Sequence, residues 1–508
     1  MRLLLALLCL LLPGAAEAAW RQASTPHFLI YSEQKPEELR DFATRLERFD
    51  QAMRKIRGMA DLPLGPSNRL TVYVVPSVSS VQKIGPRSRN LAGFYIPRAG
   101  GSIAIVPRRA GSGGRFDLDA EGILLHEYAH HFMMAEGAGI AYPAWLVEGF
   151  AEVNSTAEFG VDGSINLGIP AAHRLYGLAM GSLPVETLLT SSADLRDPRS
   201  TEMFYARSWL LTHYLTFHKP RRGQLATYLK AFNSGKPSLN AAKEVFGDLK
   251  KLDSELDVYL RARRMPGLRF SFKELQIGEI ELRDLSPAEN AVMDLRIRSD
   301  RGVDRAEATR LLARMRQVAA GYPNDPTVQA YLAEAEYDAG NQAEAVAAAD
   351  RALAADPSSI DALLYRGRSM MAQALASGSR DPATWKEIRR WIIKANNLDK
   401  EHAEPLWFYY QTFPAIGAKP DANAVQALLK AHDLAPQDRT LRMAVARQHL
   451  IDGKAAEART ALAPIAFDPH GGARAKLATA LLTLLGAGDA KAALQAWKQG
   501  EKSTVPAS

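Results

Sequence analysis

The stretch Gly122–Glu152, GILLHEYAHHFMMAEGAGIAYPAWLVEGFAE, carries His126, Glu127, His130 and His131 in one apolar run and Glu148 and Glu152 in the next. A four-residue spacing stacks His126 and His130 on one face of a helix, about 6 Å apart along its axis. Two imidazoles placed in this way can meet a single metal ion. Glu127, one residue further on, flanks such an ion without competing as a ligand. This is the HExxH arrangement, in which zinc acidifies a bound water and the glutamate takes its proton. The neighbours Leu124, Leu125, Tyr128, Ala129, Phe132 and Met133 describe a largely buried helix. Buried His and Glu cost free energy unless paired or liganded; core histidines with hydrogen-bond partners are the plain alternative.

A catalytic zinc keeps three protein ligands and one open position. The segment WLVEGFAE offers an acid, Glu148, eighteen residues beyond His130. Glu148 and Glu152 are also spaced by four, so both face the same way, and either can serve as the third ligand. The intervening glycines, followed by Tyr142-Pro143, allow a second helix to turn back against the first. Glu152 is read as accepting a hydrogen bond from a ligand histidine, with a solvent-exposed helix acid as the alternative. His131 points about 100° away from His130 around the helix and is read as a polar neighbour or core histidine.

HEYAHH…WLVEGFAE resembles the gluzincin metallopeptidases, in which HExxH is followed by a glutamate ligand in a Trp-x-x-Glu-Gly-x-Ala pattern. It is most similar to the peptidase-MA-like group of exported bacterial proteins. The specific part of the likeness is 126–152; the rest of roughly residues 20–265 is a likeness of pattern. The resemblance implies one zinc per chain on His126, His130 and Glu148, with Glu127 as general base. It also implies a tyrosine hydroxyl aimed at the substrate carbonyl, which falls on Tyr205 in EMFYARSWLLTHYL, followed by Ser208 in the matching Tyr-x-x-Ser context. A core aromatic is the alternative for Tyr205. His213 and His218 are left as structural or surface residues.

The elements that must position these side chains form a mixed α/β segment from Trp20 to about Met265. HFLIYSE (27–33) and RLTVYVVP (69–76) are strand-like. From Pro36, Leu39, Phe42, Leu46, Phe49 and Met53 recur with helical spacing. LAGFYIPRAGGSIAIVP (91–107) predicts a hairpin, and RRAGSGGRF (108–116) a flexible loop. Helices are predicted over roughly 120–136, 144–158, 203–218, 222–234 and 250–264. The strand SIAIVP is the candidate edge for pairing with an extended substrate.

Residues 266–286 suggest two linking strands, and 287–502 are Ala-rich and helical. YLAEAEYDAGNQAEAVAAADRALAADP (331–357) places Leu332, Ala333, Gly340, Ala345, Ala349, Ala352 and Pro357 at positions resembling a tetratricopeptide repeat, with a period of ~34 residues. Such units bury their apolar faces only by stacking. An irregular helical domain is the alternative.

Met1–Ala18 reads as a secretory signal, with a Leu-rich core broken by Pro13-Gly14 and cleavage after Ala18. The apolar run is too short to span a bilayer, so no integral span is expected in the mature chain. The single cysteine, Cys9, lies inside that leader, which removes thiol chemistry and disulfides from the rest. Leu8 before it argues against a lipid anchor. The net charge of +7 over 508 residues is dispersed, which reads as solubility rather than as nucleic-acid binding. The fold class expected is an α+β zincin-like metallopeptidase domain (19–265) followed by an all-α tetratricopeptide-like solenoid. The function expected is a periplasmic or secreted zinc peptidase acting on protein or peptide substrate, with the repeats binding a protein partner. The rivals are a catalytically silent scaffold and an envelope quality-control peptidase-chaperone.

Overall fold

The computed structural model describes residues 19–62, 64–85, 92–110, 119–136, 139–191 and 197–504. The expected leader and most of the Gly-rich loop after Arg108 lie outside the described residues. The chain is mostly helical, with a small mixed sheet in its N-terminal half.

β1 (Arg21–Ser24), β2 (Phe28–Ser32), β3 (Leu70–Val75), β4 (Phe94–Ile96), β5 (Ile103–Pro107) and β9 (Glu281–Asp284) form a six-stranded sheet in the order β4-β5-β3-β2-β1-β9. β2, β3 and β5 run parallel; β4 and β1 pair antiparallel on either side of them, and β9 pairs antiparallel with β1. The expected hairpin is therefore β4–β5, but β5 is an interior strand. The free edge belongs to β4, because the hairpin folds its first strand to the outside. A small second sheet joins β6 (Glu158–Phe159), β7 (Ile165–Leu167) and β8 (Leu268–Phe270). The strands at 266–286 thus do more than link: β8 and β9 each complete a sheet of the N-terminal half.

α1 (Pro36–Arg57) starts on Pro36 with Glu37 and Glu38 in its first turn, carries Arg54, Lys55 and Arg57 in its last, and ends on Gly58 at φ 63°. These charges suit the helix dipole, and the glycine supplies the left-handed cap. α2 (Val78–Ile84) follows β3, and α3 (Ala120–Glu136) and α4 (Ala144–Asn154) carry the motif. α4 ends four residues short of the sequence expectation, since the chain turns into β6. On one face of the sheet, Leu39, Phe42, Leu46 and Phe49 of α1 and Leu124, Leu125, Tyr128 and Phe132 of α3 pack against Ile30, Val72, Val74 and Val106. A second core joins α4 to α5 (Leu175–Ala179), α6 (Val185–Thr190), α7 (Pro198–Phe217), α8 (Gln224–Asn233), α9 (Ser238–Phe246) and α10 (Leu249–Leu260), around Trp145, Trp209 and Tyr228.

The other face of the sheet is covered by α2 and by α11 (Pro287–Arg301), the first helix of the C-terminal half. Met293 and Ile297 pack on Tyr73, Ile103 and Ile105. The Arg296 guanidinium lies 4.5 Å from the centre of the Tyr31 ring, and Tyr73 donates to Asp300. Ending the chain at Met265 removes β8, β9 and α11. Each large apolar side chain so uncovered forfeits about 1.5–3 kcal/mol. We expect that fragment to be insoluble and one ending beyond Arg301 to be folded, as checked by circular dichroism and soluble yield.

From α11 to Ala490–Thr504 the described chain is a succession of helices, each packed on the next. α11 also packs on α13 (Pro326–Asp338), two helices on, as stacked helical hairpins do. Between α13 and α14 (Gln342–Ala355), Gly340 takes φ 83°, and Ala333, Ala345, Ala349 and Ala352 are fully buried. The β4–β5 turn runs into this helical half. A Cβ on Gly100 would lie 2.5 Å from a Glu404 carboxylate oxygen, and the Ala99 amide donates to Asp438 at 2.8 Å.

Candidate metal centre

α3 is buried on nearly every side, and it brings His126 and His130 to the face that meets α4. Their Nε2 atoms are 3.1 Å apart. The Glu148 Oε2 atom is 3.9 Å from the first and 3.7 Å from the second. A tetrahedral ion with bonds of about 2.0–2.1 Å spaces its ligand atoms about 3.4 Å apart, so these three separations bracket the value zinc requires. Burial drives the His130 imidazole down to about 3, leaving a neutral ring with a lone pair to give. Burial alone would raise Glu148, but its contacts with the His130, His470 and His126 rings together outweigh it and hold the carboxyl low. Glu148 is fully buried; neither oxygen meets hydrogen-bond geometry, and outside the His126–His130 pair a close neighbour is the His470 ring, 2.9 Å from Oε1. An ionised carboxylate left so is costly, and a divalent cation at the meeting point offsets that cost. The residues therefore fit zinc.

Why α4 can present Glu148 there is read from its neighbour. A Cβ on Gly149 would lie 2.4 Å from the Ser208 carbonyl oxygen and 2.1 Å from Thr212 Oγ1, both on α7. The bare glycine lets α4 seat directly on α7, which fixes the height of Glu148. Gly149→Ala forces those backbones apart at a cost of about 1–3 kcal/mol, seen as a lowered Tm together with weaker metal binding.

Glu152 is held differently. Arg174 donates to both of its oxygens at 2.7 Å, the His173 ring lies at 2.9 Å, and His126 Nδ1 at 3.2 Å. Against the effect of burial, Arg174 holds this carboxyl well below the usual range. With its oxygens claimed, Glu152 stands behind the centre and faces the Nδ1 side of His126, which leaves Nε2 free for an ion. We expect Glu148→Ala to weaken zinc binding more than Glu152→Ala in a chelator competition; the reverse order exchanges their roles.

Glu127 projects on the half-buried side of α3. Burial raises its carboxyl above the ordinary value, offset in part by His126 and His470, and α3 packs directly on β4. The free edge strand therefore runs beside the glutamate. Tyr205 on α7 sits under Arg174, 5.0 Å from ring centre to guanidinium, with its hydroxyl toward Glu148; burial pushes the phenol far up. His131 lies behind the site, its Nδ1 2.9 Å from the Tyr95 hydroxyl. His213 is locked in the second core between the Tyr259 hydroxyl and the Gly168 carbonyl.

Three groups here carry no sequence signal. His173 and Arg174 lie in an undistinguished AAHRLYG, and His470 lies in the helical half, far along the chain. The His470 Nε2 is 2.9 Å from Glu148 Oε1. A second cluster, His27, Asp50 and Asp61, also has ligand-like spacing. There Arg54 donates to Asp50 at 2.7 Å and Tyr128 at 2.6 Å, while Glu47 takes His27 Nδ1 at 2.8 Å. An arginine already supplies the cation, so this is a structural ion network.

Among the described residues no helix is long and apolar enough to cross a membrane. No family model matches the chain, and no curated protein matches it. Among solved structures it is similar over part of its length to MamA. One MamA crystal structure shares 14% identity over 35% of this chain and 94% of that one, with a TM-score of 0.26. Another shares 20% over 36% and 96%, with a TM-score of 0.26. A MamA RS-1 ArsTM double mutant shares 15% over 35% and 93%, with a TM-score of 0.27. A likeness this shallow carries neither fold nor function over to this chain.

Proposed function

We propose that the chain is a zinc-dependent peptidase of the gluzincin kind, exported through its leader. The observation that carries this reading is the convergence of His126, His130 and Glu148 ligand atoms on one point beside Glu127. When bound there, zinc supplies an acidified water and polarises the scissile carbonyl. The rest falls to the chain's own residues. Glu127 takes the water's proton and passes it to the leaving amine, and its raised pKa suits both halves of that task. β4 offers the free sheet edge on which an extended peptide main chain can pair. The Tyr205 hydroxyl steadies the developing oxyanion once a substrate draws it from Glu148. Glu152, held by Arg174, orients His126. The test is cleavage of casein and of a peptide library by the mature protein, abolished by a chelator and restored by zinc. Inertness of the zinc-loaded protein toward both overturns the reading.

A second reading is a protein-interaction module, favoured by the stacked helices and by apolar side chains they leave exposed, such as Leu375, Ile393 and Leu398. Zinc bound at one per chain with no turnover favours that scaffold. Envelope proteins trapped by Glu127→Gln favour the quality-control peptidase-chaperone.

A further inference from the structure

His470 lies on the turn between the helices Ala455–Ala466 and Gly472–Gly486, far along the C-terminal half, yet it reaches Glu148 on α4. The two oxygens of that carboxylate face different groups. Oε2 lies 3.9 Å from His126 Nε2 and 3.7 Å from His130 Nε2, the pair with which it converges. Oε1 lies 2.9 Å from His470 Nε2. An ionised carboxylate only accepts hydrogen bonds, so the imidazole nitrogen that faces it carries its proton in either charge state of the ring. One oxygen of Glu148 is thus turned to a donor and the other to the two ligand histidines.

The turn that carries His470 is fastened on both sides of the ring. The His470 amide donates to Asp468 Oδ1 at 2.8 Å, and the buried Asp468 pairs with Arg439. Phe467 packs on Phe232 of α8 with ring centres 4.7 Å apart, which ties the turn to the N-terminal half. The His470 ring itself meets that of His130 edge to face, with centres 5.7 Å apart. Its side chain is 40% exposed, so removing it uncovers no core.

We propose that His470 is a positioning residue for Glu148: by engaging Oε1 it fixes the rotation of the carboxylate and leaves Oε2 for the ion. A group that holds a metal-ligating side chain in this way contributes about 10–100-fold to metal affinity. In the peptidase reading above, on which this inference rests, the Tyr205 hydroxyl is drawn from Glu148 to the substrate, and His470 is the contact that stays. The N-terminal half then supplies all three ligand atoms, while the hold on one of them comes from the helical half. The stack of hairpins is part of the metal centre through this one side chain.

The test measures zinc affinity of the full-length protein by chelator competition, beside the Tm of the zinc-free protein. His470→Ala is expected to bind zinc about 10–100-fold more weakly than wild type, with the zinc-free Tm unchanged. His470→Gln places an amide N–H within reach of Oε1 and is expected to recover most of that loss. Arg439→Ala, which loosens the turn without touching the centre, is expected to fall between wild type and His470→Ala. Wild-type zinc affinity in His470→Ala overturns the proposal and leaves the three-ligand centre standing. A loss that His470→Gln does not relieve, matched by a fall in the zinc-free Tm, is the mark of a structural role and overturns it as well. A wild type that binds no zinc overturns the peptidase reading itself.

Discussion

Glu127→Gln is expected to keep a full complement of zinc and lose about 10²–10⁴-fold in peptide hydrolysis, the range that one positioned acid–base group contributes. The substitution preserves shape and removes only the ability to accept a proton. Glu127 is not among the three groups whose ligand atoms converge, so metal affinity has no reason to fall. Its surroundings already disfavour charge, because burial raises its carboxyl above the ordinary value; a neutral amide there does not destabilise the fold. The pairing of retained zinc with lost turnover separates a chemical role from a structural one. Wild-type proteolysis in this variant removes Glu127 from the mechanism.

His130→Ala carries the second large effect. It removes one of three ligand atoms and leaves Glu148 ionised in a fully buried position with one neutral partner fewer. Loss of a partner behind a ligand costs about 10–100-fold in metal affinity, so loss of a ligand itself exceeds that. Zinc at about a hundred times its Kd stabilises a protein by about 2.7 kcal/mol. Saturating zinc is therefore expected to raise the Tm of wild type and leave that of His130→Ala unmoved. A zinc-dependent Tm in the variant places the ion elsewhere.

The spacing in HEYAHH was enough to group His126 with His130, because a helix converts a four-residue step into a shared face, whereas only the gluzincin resemblance singled out Glu148 in WLVEGFAE. The same spacing left Glu148 and Glu152 equivalent. What separates them is Arg174, whose guanidinium claims both Glu152 oxygens from a short helical turn that no periodicity marks. Gly149 looked like part of a motif, and the closeness of α7 gives it a physical reason. The β4–β5 hairpin was legible from its turn residues, but not which strand lies at the edge, since that depends on where β3 docks. The boundary after Met265 followed composition, and composition does not register that β9 pairs with β1 or that α11 closes the second face of the sheet. His470 was out of reach, because its partner Glu148 is brought to it only by the path of the whole helical half.

The most direct measurement is elemental analysis of the purified full-length protein beside Glu148→Ala. Convergence of the three side chains on one cation requires one zinc per chain in the first and a large loss in the second. A wild type that can be neither isolated with zinc nor loaded with it, or a variant that keeps its zinc in full, contradicts the metal centre.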